Sequence, residues 1–397
     1  ESWDASAQGL RRARRRRVMS GLEESLQDAL EKIEADGLAR SLQPGEGVDF
    51  TSNDYLGFST EERFRERLRA GLDEKSLSAP ASRLLRGTHP AHLELEKKLA
   101  EFKGAEAALI FPTGYQANLG LLTSLLGPQD RVLSDELNHA SIIDGLRLSG
   151  ARKRIFPHLD IDALERELAH PHPGGRTFIV TESYFSMDGD IAPLERYAAL
   201  AEEYSASLLV DDAHATGLFG SERGSGLAEE YGIEGRCAAI VSTFGKALGG
   251  FGAFVAGSDT LVKWLVNRSR PFIFTTATPP LLLAMMAAGL ELCADPEPRA
   301  RVHSLARRLR DALATGGLDC SGSTGPIVPV IVGGNEDALE AANRLQQAGL
   351  DVRAVRPPTV APGSSRLRIS VHANHSEGDI DRLASALIEL LARKETI

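Results

Sequence analysis

From about Phe50 to Ala288 the sequence alternates short apolar runs with longer segments that repeat every 3.6 residues. The runs include "AALIF", "RTFIVTE", "SLLVD" and "AAIVST", and a typical segment between them is "PLERYAALAEEYSA". Short, nearly continuous apolar runs are typical of strands covered on both faces, and a 3.6-residue period is typical of amphipathic helices. The alternation therefore predicts an α/β fold with a mostly parallel central sheet.

The C-terminal part follows a different order. The strand-like run "GPIVPVIVGG" precedes the helical segment "EDALEAANRLQQAG", and the run "SRLRISV" precedes the final helical segment "DIDRLASALIELLARKE". This order predicts a small α+β domain, with the N-terminal helix packed beside it. We therefore divide the chain into an N-terminal tail and helix at 1–49, a large α/β domain at 50–288 and a small α+β domain at 289–397.

Composition excludes several classes of protein. The formal net charge of −10 argues against a general nucleic-acid binder, because the phosphate backbone is held by surplus Lys and Arg. No apolar run reaches the roughly 18 residues that a membrane span needs. The three cysteines, Cys237, Cys293 and Cys320, are widely spaced and form no CxxC pair, so neither a disulfide framework nor a metal site is indicated. A reducing cytoplasm fits this cysteine usage best.

The run "RRARRRR", Arg11 to Arg17, is an exception to the acidic balance. Blocks of like charge repel and usually form a solvated tail, and a targeting or nucleic-acid-binding arm is the alternative. No apolar segment of the kind found in a secretory signal follows it. A regular amphipathic helix begins only after Met19, so we expect the residues before Met19 to be extra to the working protein.

Polar side chains follow several of the strand-like runs. Taken singly, each has a structural explanation, such as a helix cap or a satisfied histidine. In open α/β sheets, however, ligands bind beyond the carboxyl ends of the strands, so several such sites at one edge favour a ligand site. The residues are Asp211, Asp212, His214, Ser186, His139, Thr243 and Lys246.

The stretch "STFGKALGGFGAFV" has Lys246 between a strand-like run and a glycine cluster. It lacks both GxxxxGK[ST] and a completed GxGxxG, which excludes the usual nucleotide motifs. A phosphate could instead bind where Thr113 to Tyr115 begin a helix after "AALIF", because free N–H groups and the helix dipole favour an anion there. Pyridoxal phosphate (PLP) satisfies these features together, since its aldehyde needs a lysine, its pyridine nitrogen a carboxylate, and its phosphate N–H and hydroxyl donors.

Six motifs carry a resemblance to a known family. They are "SNDYLG" (52–57), "HASIIDG" (139–145), "TESYFSMDGD" (181–190), "DDAHATG" (211–217), "STFGKALGG" (242–250) and "FIFTTATPP" (272–280). In these motifs, from about Leu22 to the C-terminus, the chain resembles the α-oxoamine synthases. These are fold-type I PLP transferases that condense an amino acid with an acyl thioester and release carbon dioxide.

The resemblance implies a role for each cofactor residue. Lys246 would form the Schiff base and later act as the base, and Asp211 would pair with the pyridine nitrogen. His214 would hydrogen-bond the phenolic oxygen and His139 would stack on the ring. The further cofactor residues implied are Ser186, Gly114, Tyr115, Thr243 and Thr276. Thr276 matches a residue that reaches the phosphate of the neighbouring subunit, so the resemblance implies a homodimer with a shared site.

The resemblance also implies residues that hold the substrates. Arg368, with Asn53, would hold the amino-acid carboxylate, although spacing alone makes Arg368 a surface strand arginine. Thr359, in the stiff "RPPT" loop, would discriminate among α-substituents or acyl chains. Arg40 stands near a substrate-binding arginine of relatives, in a region that aligns loosely.

Two departures from the family pattern stand out. Ser78 and Pro80 occupy a loop in which relatives commonly have glycines, so we expect a different local backbone where the thioester enters. Ala215 replaces a glycine beside His214. The stretch 354–371 is most similar to the biotin-forming branch of the family. The alternatives are glycine C-acetyltransferase, 5-aminolevulinate synthase, an aminotransferase, and a catalytically silent subunit, whose usual mark is a missing Schiff-base lysine.

Overall fold

The computed structural model describes residues 21–72, 77–320 and 322–392. Its strands are β1 (Val48–Asp49), β2 (Ala107–Phe111), β3 (Arg131–Asp135), β4 (Arg152–Phe156), β5 (Thr177–Glu182), β6 (Ser207–Asp211), β7 (Cys237–Thr243), β8 (Ala253–Gly257), β9 (Ile327–Gly333), β10 (Leu350–Asp351), β11 (Arg353–Val355) and β12 (Ser365–Ser370). Arg11 to Arg17 and the other residues before Met19 lie outside the described residues.

The helices alternate with these strands in the first two thirds of the chain. They are α1 (Gly21–Ala35), α2 (Glu62–Leu72), α3 (Pro90–Phe102), α4 (Gly114–Leu125), α5 (Ala140–Ser149), α6 (Ile161–Ala169), α7 (Leu194–Glu203), α8 (Leu227–Glu230), α9 (Asp259–Arg268), α10 (Arg270–Ile273), α11 (Pro280–Leu292), α12 (Glu297–Thr315), α13 (Asn335–Gln347) and α14 (Glu377–Ala392). Short helical turns lie at Phe58–Thr60, Arg83–Gly87 and Glu234–Arg236.

Seven strands of the described chain form a central sheet in the spatial order β2, β8, β7, β6, β5, β3, β4. The pairs from β7 through β6, β5 and β3 to β4 are parallel, whereas β8 is antiparallel to both of its neighbours. Leu208 and Val210 of β6 belong to one apolar core, and Leu209 between them belongs to another. Because successive strand side chains point to opposite faces, both faces of the sheet are covered. The predicted α/β fold with a mostly parallel sheet is confirmed.

The carboxyl ends of three adjacent parallel strands carry polar residues. β5 ends at Glu182, β6 at Asp211 and β7 at Thr243. Glu182 is the register partner of Asp211, which in turn pairs with Val241. The strand order therefore gathers at one edge polar groups that are far apart in the sequence.

A second, antiparallel sheet has the order β11, β12, β9. Leu367 and Ile369 of β12 point into the apolar core. The alternate residues Arg366 and Arg368 are also buried, but on the opposite face, where they contact the turn that follows β5. The period of two along β12 thus brings arginines from the C-terminal part to the end of the central sheet.

The division of the chain at residues 49 and 288 stays a prediction. β1 pairs in parallel with β10, and residue 288 lies within α11.

The N-terminal helix is present, but the prediction that it packs beside the small domain is wrong for the helix itself. α1 has no buried residue. The segment after it makes the contacts, since Asn335 donates to the Asp36 carbonyl and Arg356 donates to the Ala39 carbonyl. Among the described residues, no helix is long and apolar enough to cross a membrane.

Candidate active site

Lys246 lies in the loop between β7 and β8. Burial lowers the pKa of its amine to about 8; the charge of Arg368 acts in the same direction, and Asp211 and Glu182 oppose it. Within the described chain, the amine makes no hydrogen bond or ion pair. Its neutral, nucleophilic form is therefore far more populated near neutral pH than that of an ordinary lysine.

Glycines bring this loop against its neighbours. Gly249 and Gly252 have φ of 64° and 104°, conformations that other residues rarely adopt. A Cβ on Gly252 would lie 2.2 Å from Met286 Cε, and one on Gly249 would lie 2.6 Å from Phe58 Cβ. Gly249 and Gly252 are therefore required by the backbone conformation and close packing of this loop.

Asp211 is buried at the end of β6, and both of its carboxylate oxygens accept hydrogen bonds. Asn118 Nδ2 donates to Oδ2 across 2.6 Å, and the Ala213 N–H donates to Oδ1 across 3.0 Å. Donors to both oxygens fix the direction of this carboxylate. Burial and the charge of Asp211 raise the pKa of the nearby Glu182 carboxyl to about 8.

His139 is joined to Asp211 by a directed chain of hydrogen bonds. Asn118 Nδ2 also donates to Ser141 Oγ across 2.9 Å, and Ser141 Oγ lies 2.7 Å from His139 Nδ1. The Ser141 N–H donates to the same ring nitrogen, so Nδ1 is an acceptor and the proton of the neutral ring is on Nε2. Burial and the Lys246 charge lower the pKa of His139, against the opposing effect of Asp211.

His214 is buried and contacts Tyr55. Its Nδ1 lies 2.9 Å from Tyr55 Oη. Burial, together with the charges of Lys246 and Arg368, lowers the pKa of His214 well below its usual value. The ring is therefore neutral at physiological pH.

Arg368 is buried and contacts several groups that the sequence motifs supply. Its Nη2 donates to Asn53 Oδ1 across 3.0 Å and to Tyr55 Oη across 3.1 Å. Its Nε donates to the Ser186 carbonyl, and its Nη1 donates to Ser370 Oγ. The geometry thus brings Arg368, Asn53 and Ser186 together, next to the pair of Tyr55 and His214.

The turn that carries Ser186 is held by charged groups on both sides. Arg366 forms an ion pair with Asp188. His158 bridges Asp190 Oδ2 and Asp135 Oδ1, each across 2.9 Å. Burial disfavours the charged imidazole, but its bonds to both carboxylates outweigh this and raise the pKa of His158 to about 10. The imidazolium therefore links the turn to the end of β3.

The start of α4 lies beside the end of β7. Thr113 caps this helix by accepting the Gln116 N–H, and a Cβ on Gly114 would be 4.0 Å from Thr243 Cβ. Thr243 Oγ1 accepts the Gly245 N–H. Tyr115 is exposed, and its hydroxyl donates to Asp144. The predicted anion-binding turn therefore adjoins the loop of Lys246.

Three predicted residues are not brought into this cluster by any contact within the described residues. Thr276 and Thr359 are exposed. Arg40, also exposed, donates to the Pro357 carbonyl across 3.4 Å, so it adjoins the loop of Thr359. Their predicted roles stay predictions.

A buried ion pair lies beneath the loop of Asp211 and His214. Lys103 Nζ is 2.7 Å from Asp212 Oδ2 and donates to Thr216 Oγ1 across 2.9 Å. Asp212 Oδ1 accepts a hydrogen bond from Ser183 Oγ across 2.6 Å. These contacts tie the loop to the end of α3 and to the residue that follows β5.

Sequence reasoning missed four polar residues of this site, namely Tyr55, Asn118, Ser141 and Glu182. Glu182 was detectable, because it ends a strand-like run just as Asp211 does. Asn118 and Ser141 lie inside helices with apolar neighbours, and no spacing rule connects them with a strand end.

The groups present fit PLP. The aldehyde, pyridine nitrogen and phosphate of PLP require a free amine, a fixed carboxylate and an anion-binding helix start. The site has a lysine amine without a hydrogen-bond partner among the described residues, a carboxylate with a fixed direction and a capped helix start. Among the described residues, no cluster of His, Cys, Asp or Glu could hold a metal ion.

Known proteins resemble the chain along nearly its whole length. A family model described as aminotransferase class I and II matches residues 45–387. The 8-amino-7-oxononanoate synthase of Geobacter sulfurreducens is 44% identical over 382 residues, which are 92% of this chain and 97% of that protein. A structure of SPT, serine palmitoyltransferase, with PLP has a TM-score of 0.86 and 30% identity, over 94% of this chain and 98% of that chain. The 8-amino-7-oxononanoate synthase of Francisella tularensis has a TM-score of 0.76 and 27% identity, over 88% and 99%.

The fold and these matches define a fold-type I transferase, and the chain belongs to the aminotransferase class I and II family. Within that class it is an α-oxoamine synthase, so the resemblance found in its motifs is confirmed.

Proposed function

We propose that this protein is a PLP-dependent acyltransferase of biotin biosynthesis. It condenses L-alanine with a pimeloyl thioester, carried by coenzyme A or a carrier protein, and releases 8-amino-7-oxononanoate, carbon dioxide and the free thiol. The observation that carries the proposal is the similarity to an 8-amino-7-oxononanoate synthase over nearly all of both chains. The cluster of Lys246, Asp211 and Arg368 supports it with the chemistry that such a condensation needs.

PLP supplies an electron sink for the negative charge that develops at the α-carbon of the amino acid. Lys246 would hold its aldehyde and Asp211 its pyridine nitrogen. The phenolic oxygen would accept hydrogen bonds from His214 and Ser186. The groups that would anchor the phosphate end are Gly114 and Tyr115 at the start of α4, Thr243, and Thr276 of the partner subunit.

The site residues have separate tasks during the reaction. Arg368 and Asn53 hold the amino-acid carboxylate, and His139 stacks over the ring. The substrate amine would take the place of Lys246 at the aldehyde, and the released Lys246 amine, whose pKa burial lowers, would remove the α-proton as a neutral base. The α-carbon then attacks the thioester carbonyl, the thiol leaves, and the β-keto acid loses carbon dioxide.

We assign substrate recognition to two further residues, Thr359, which would discriminate among α-substituents or place the acyl chain, and Arg40. Arg40 donates to the Pro357 carbonyl, and Arg356 of the same loop donates to the Gly37 and Ala39 carbonyls. These bonds join the two segments that carry these predicted substrate-binding residues.

Substrate choice tests the function directly. Purified protein with PLP is supplied with alanine and a pimeloyl thioester, or with glycine and an acetyl or succinyl thioester, and thiol release is followed. We expect the highest kcat/KM for the first pair, because this ratio reports differential binding of the transition state. A preference for a glycine pair would indicate glycine C-acetyltransferase or 5-aminolevulinate synthase, and absence of thiol release from every pair would contradict a synthase.

We further propose a homodimer with shared sites. Leu84, Leu85 and Phe274 are large apolar side chains that are exposed in the single chain. The Ala277 N–H donates to the Ala81 carbonyl, which joins the segment of Thr276 to the loop of the two leucines. A concentration of exposed apolar groups around Thr276 supports an interface at this position.

The cytoplasm is the proposed location. All three cysteines are unpaired, as a reducing compartment favours. Fractionation of the source cells with an antibody against the protein tests this assignment.

A further inference from the structure

The Tyr55 hydroxyl lies between Arg368 and His214, and no motif assigns it a role. Tyr55 is fully buried. Its Oη lies 3.1 Å from Arg368 Nη2, 2.9 Å from His214 Nδ1 and 3.1 Å from Asn53 Oδ1. One hydroxyl thus contacts a permanent donor and two groups that can accept.

The direction of these hydrogen bonds follows from the chemistry of the partners. A guanidinium can only donate, so Tyr55 Oη accepts from Arg368. The hydroxyl has a single hydrogen, which either Asn53 Oδ1 or His214 Nδ1 can accept. If Tyr55 donates to His214 Nδ1, the proton of the neutral ring is on Nε2. If Tyr55 donates to Asn53 Oδ1, His214 must carry its proton on Nδ1 and donate it to Tyr55 to keep the contact.

Two features favour donation to His214. Asn53 Oδ1 already accepts from Arg368 across 3.0 Å, whereas His214 Nδ1 has Tyr55 as its only hydrogen-bond partner among the described residues. The adjacent guanidinium also polarises the hydroxyl, which makes it a stronger donor and a weaker second acceptor. The positive charge of Arg368 also favours the tautomer whose dipole points the Nδ1 lone pair towards the guanidinium.

We propose that Tyr55 is a positioning residue that holds neutral His214 in the tautomer with its proton on Nε2. The benefit of this tautomer rests on the proposed function, because Nε2–H is then the donor for the phenolic oxygen of PLP. The opposite tautomer would present a lone pair to an oxygen that carries negative charge. Tyr55 would therefore act on the cofactor only through His214.

The ring nitrogens report the tautomer directly. We suggest labelling the histidines with ¹⁵N and assigning His214 by the signal that disappears in His214→Asn. In the protein without added PLP, we expect protonated Nε2 and unprotonated Nδ1. In Tyr55→Phe we expect a mixture of tautomers, because Nδ1 has lost its donor.

Tyr197→Phe is the matched control. Tyr197 is also fully buried, and its hydroxyl has no hydrogen-bond partner within the described residues. It packs edge-on against Phe156, so this change removes a buried hydroxyl without touching the site. The control should keep the wild-type His214 signal.

PLP affinity is the second readout. Titration followed by absorbance should show about tenfold weaker binding for Tyr55→Phe, the effect of one net hydrogen bond, and unchanged binding for Tyr197→Phe. If wild-type protein takes up no PLP, the proposed function fails, and the tautomer still decides the role of Tyr55. A proton on Nδ1 in the wild type, or the same His214 signal in Tyr55→Phe as in the control, would overturn the inference. If Tyr55→Phe does not fold, the position of the His214 proton in the wild-type spectrum decides the inference.

Discussion

Asn118 Nδ2 donates to Asp211 Oδ2 across 2.6 Å, and the same amide donates to Ser141 Oγ, the partner of His139. One buried amide on α4 therefore orients both the carboxylate assigned to the pyridine nitrogen and the ring assigned to stack on the cofactor. The two bonds that Asn118 donates are side-chain contacts from α4 to the end of β6 and to α5.

Replacing Asn118 by leucine should weaken PLP binding about tenfold, because Asp211 loses a short hydrogen bond to its charged form. Asn118→Asp should weaken binding further, since a second carboxyl beside Asp211 disfavours ionisation of the pair. Absorbance titration with PLP measures both. Asn267→Leu, which removes an exposed helix amide, should bind as the wild type does. Wild-type affinity in Asn118→Leu would contradict this role.

The buried ion pair of Lys103 and Asp212 should be strongly coupled to stability. Lys103→Met leaves a buried carboxylate without its counter-charge, so we expect a loss of about 3–5 kcal/mol in the free energy of unfolding, measured with denaturant. Asp212→Asn added to Lys103→Met should recover part of the loss, because it removes the unpaired charge.

A surface pair provides the control for Lys103. Lys263 and Asp259 form an ion pair of the same chemical type on α9, but both side chains are mostly exposed. Lys263→Met should therefore leave the free energy of unfolding nearly unchanged. Equal effects of Lys103→Met and Lys263→Met would show that burial of the first pair has no energetic consequence.

The sequence predicted the strand ends well and the side-chain network poorly. Asp211, Thr243 and Lys246 follow apolar runs, and the rule for parallel sheets is enough to expect them at one edge. Arg368 is different, because its burial depends on which face of β12 meets the turn of Ser186, and spacing alone predicted a surface residue. Tyr55 and Asn118 depend on contacts between elements that are distant in the sequence, and no local pattern encodes those contacts.

The predicted sharing of the site between subunits can be tested with mixed dimers. Lys246→Ala and Thr276→Ala chains should each be impaired alone. A mixed dimer of the two has one site with both residues intact, so part of the activity should return. Activity of purified, differently tagged dimers is the measurement.

The control for mixed dimers uses the same substitutions in another arrangement. In the control, a wild-type chain is paired with a Lys246→Ala/Thr276→Ala chain. The site with the wild-type Lys246 then lacks Thr276, and the site with the wild-type Thr276 lacks Lys246. It should show no more activity than Thr276→Ala provides. If each chain formed its own site, the wild-type chain would keep a complete site, and a control dimer more active than the first mixed dimer would therefore contradict sharing.

The imidazolium of His158 should stabilise the fold in a pH-dependent way. The pKa of this group is raised from 6.5 to about 10 in the folded protein, so its contribution is complete below the unfolded pKa, declines above it and is absent above about pH 10. His158→Gln should therefore cost most stability near pH 6 and progressively less towards pH 10. Urea unfolding at several pH values measures the difference, and a loss that grows with pH would contradict the ion pairs with Asp135 and Asp190.

The lowered pKa of Lys246 should control how fast the protein takes up PLP. Only the neutral amine attacks the aldehyde, and the pKa of about 8 predicts that the rate rises roughly tenfold per pH unit in acid and levels off above pH 8. Glu182 opposes deprotonation of Lys246, so Glu182→Gln should move the midpoint of the rate profile to lower pH. Stopped-flow absorbance gives the rates, and borohydride reduction should fix the label on Lys246.

Glu203→Gln, an exposed change on α7, is the control and should leave the midpoint of the rate profile where it is. A midpoint near the ordinary lysine value of 10.5, or one that moves to higher pH in Glu182→Gln, would mean that burial and the neighbouring carboxylates do not set the reactivity of this amine.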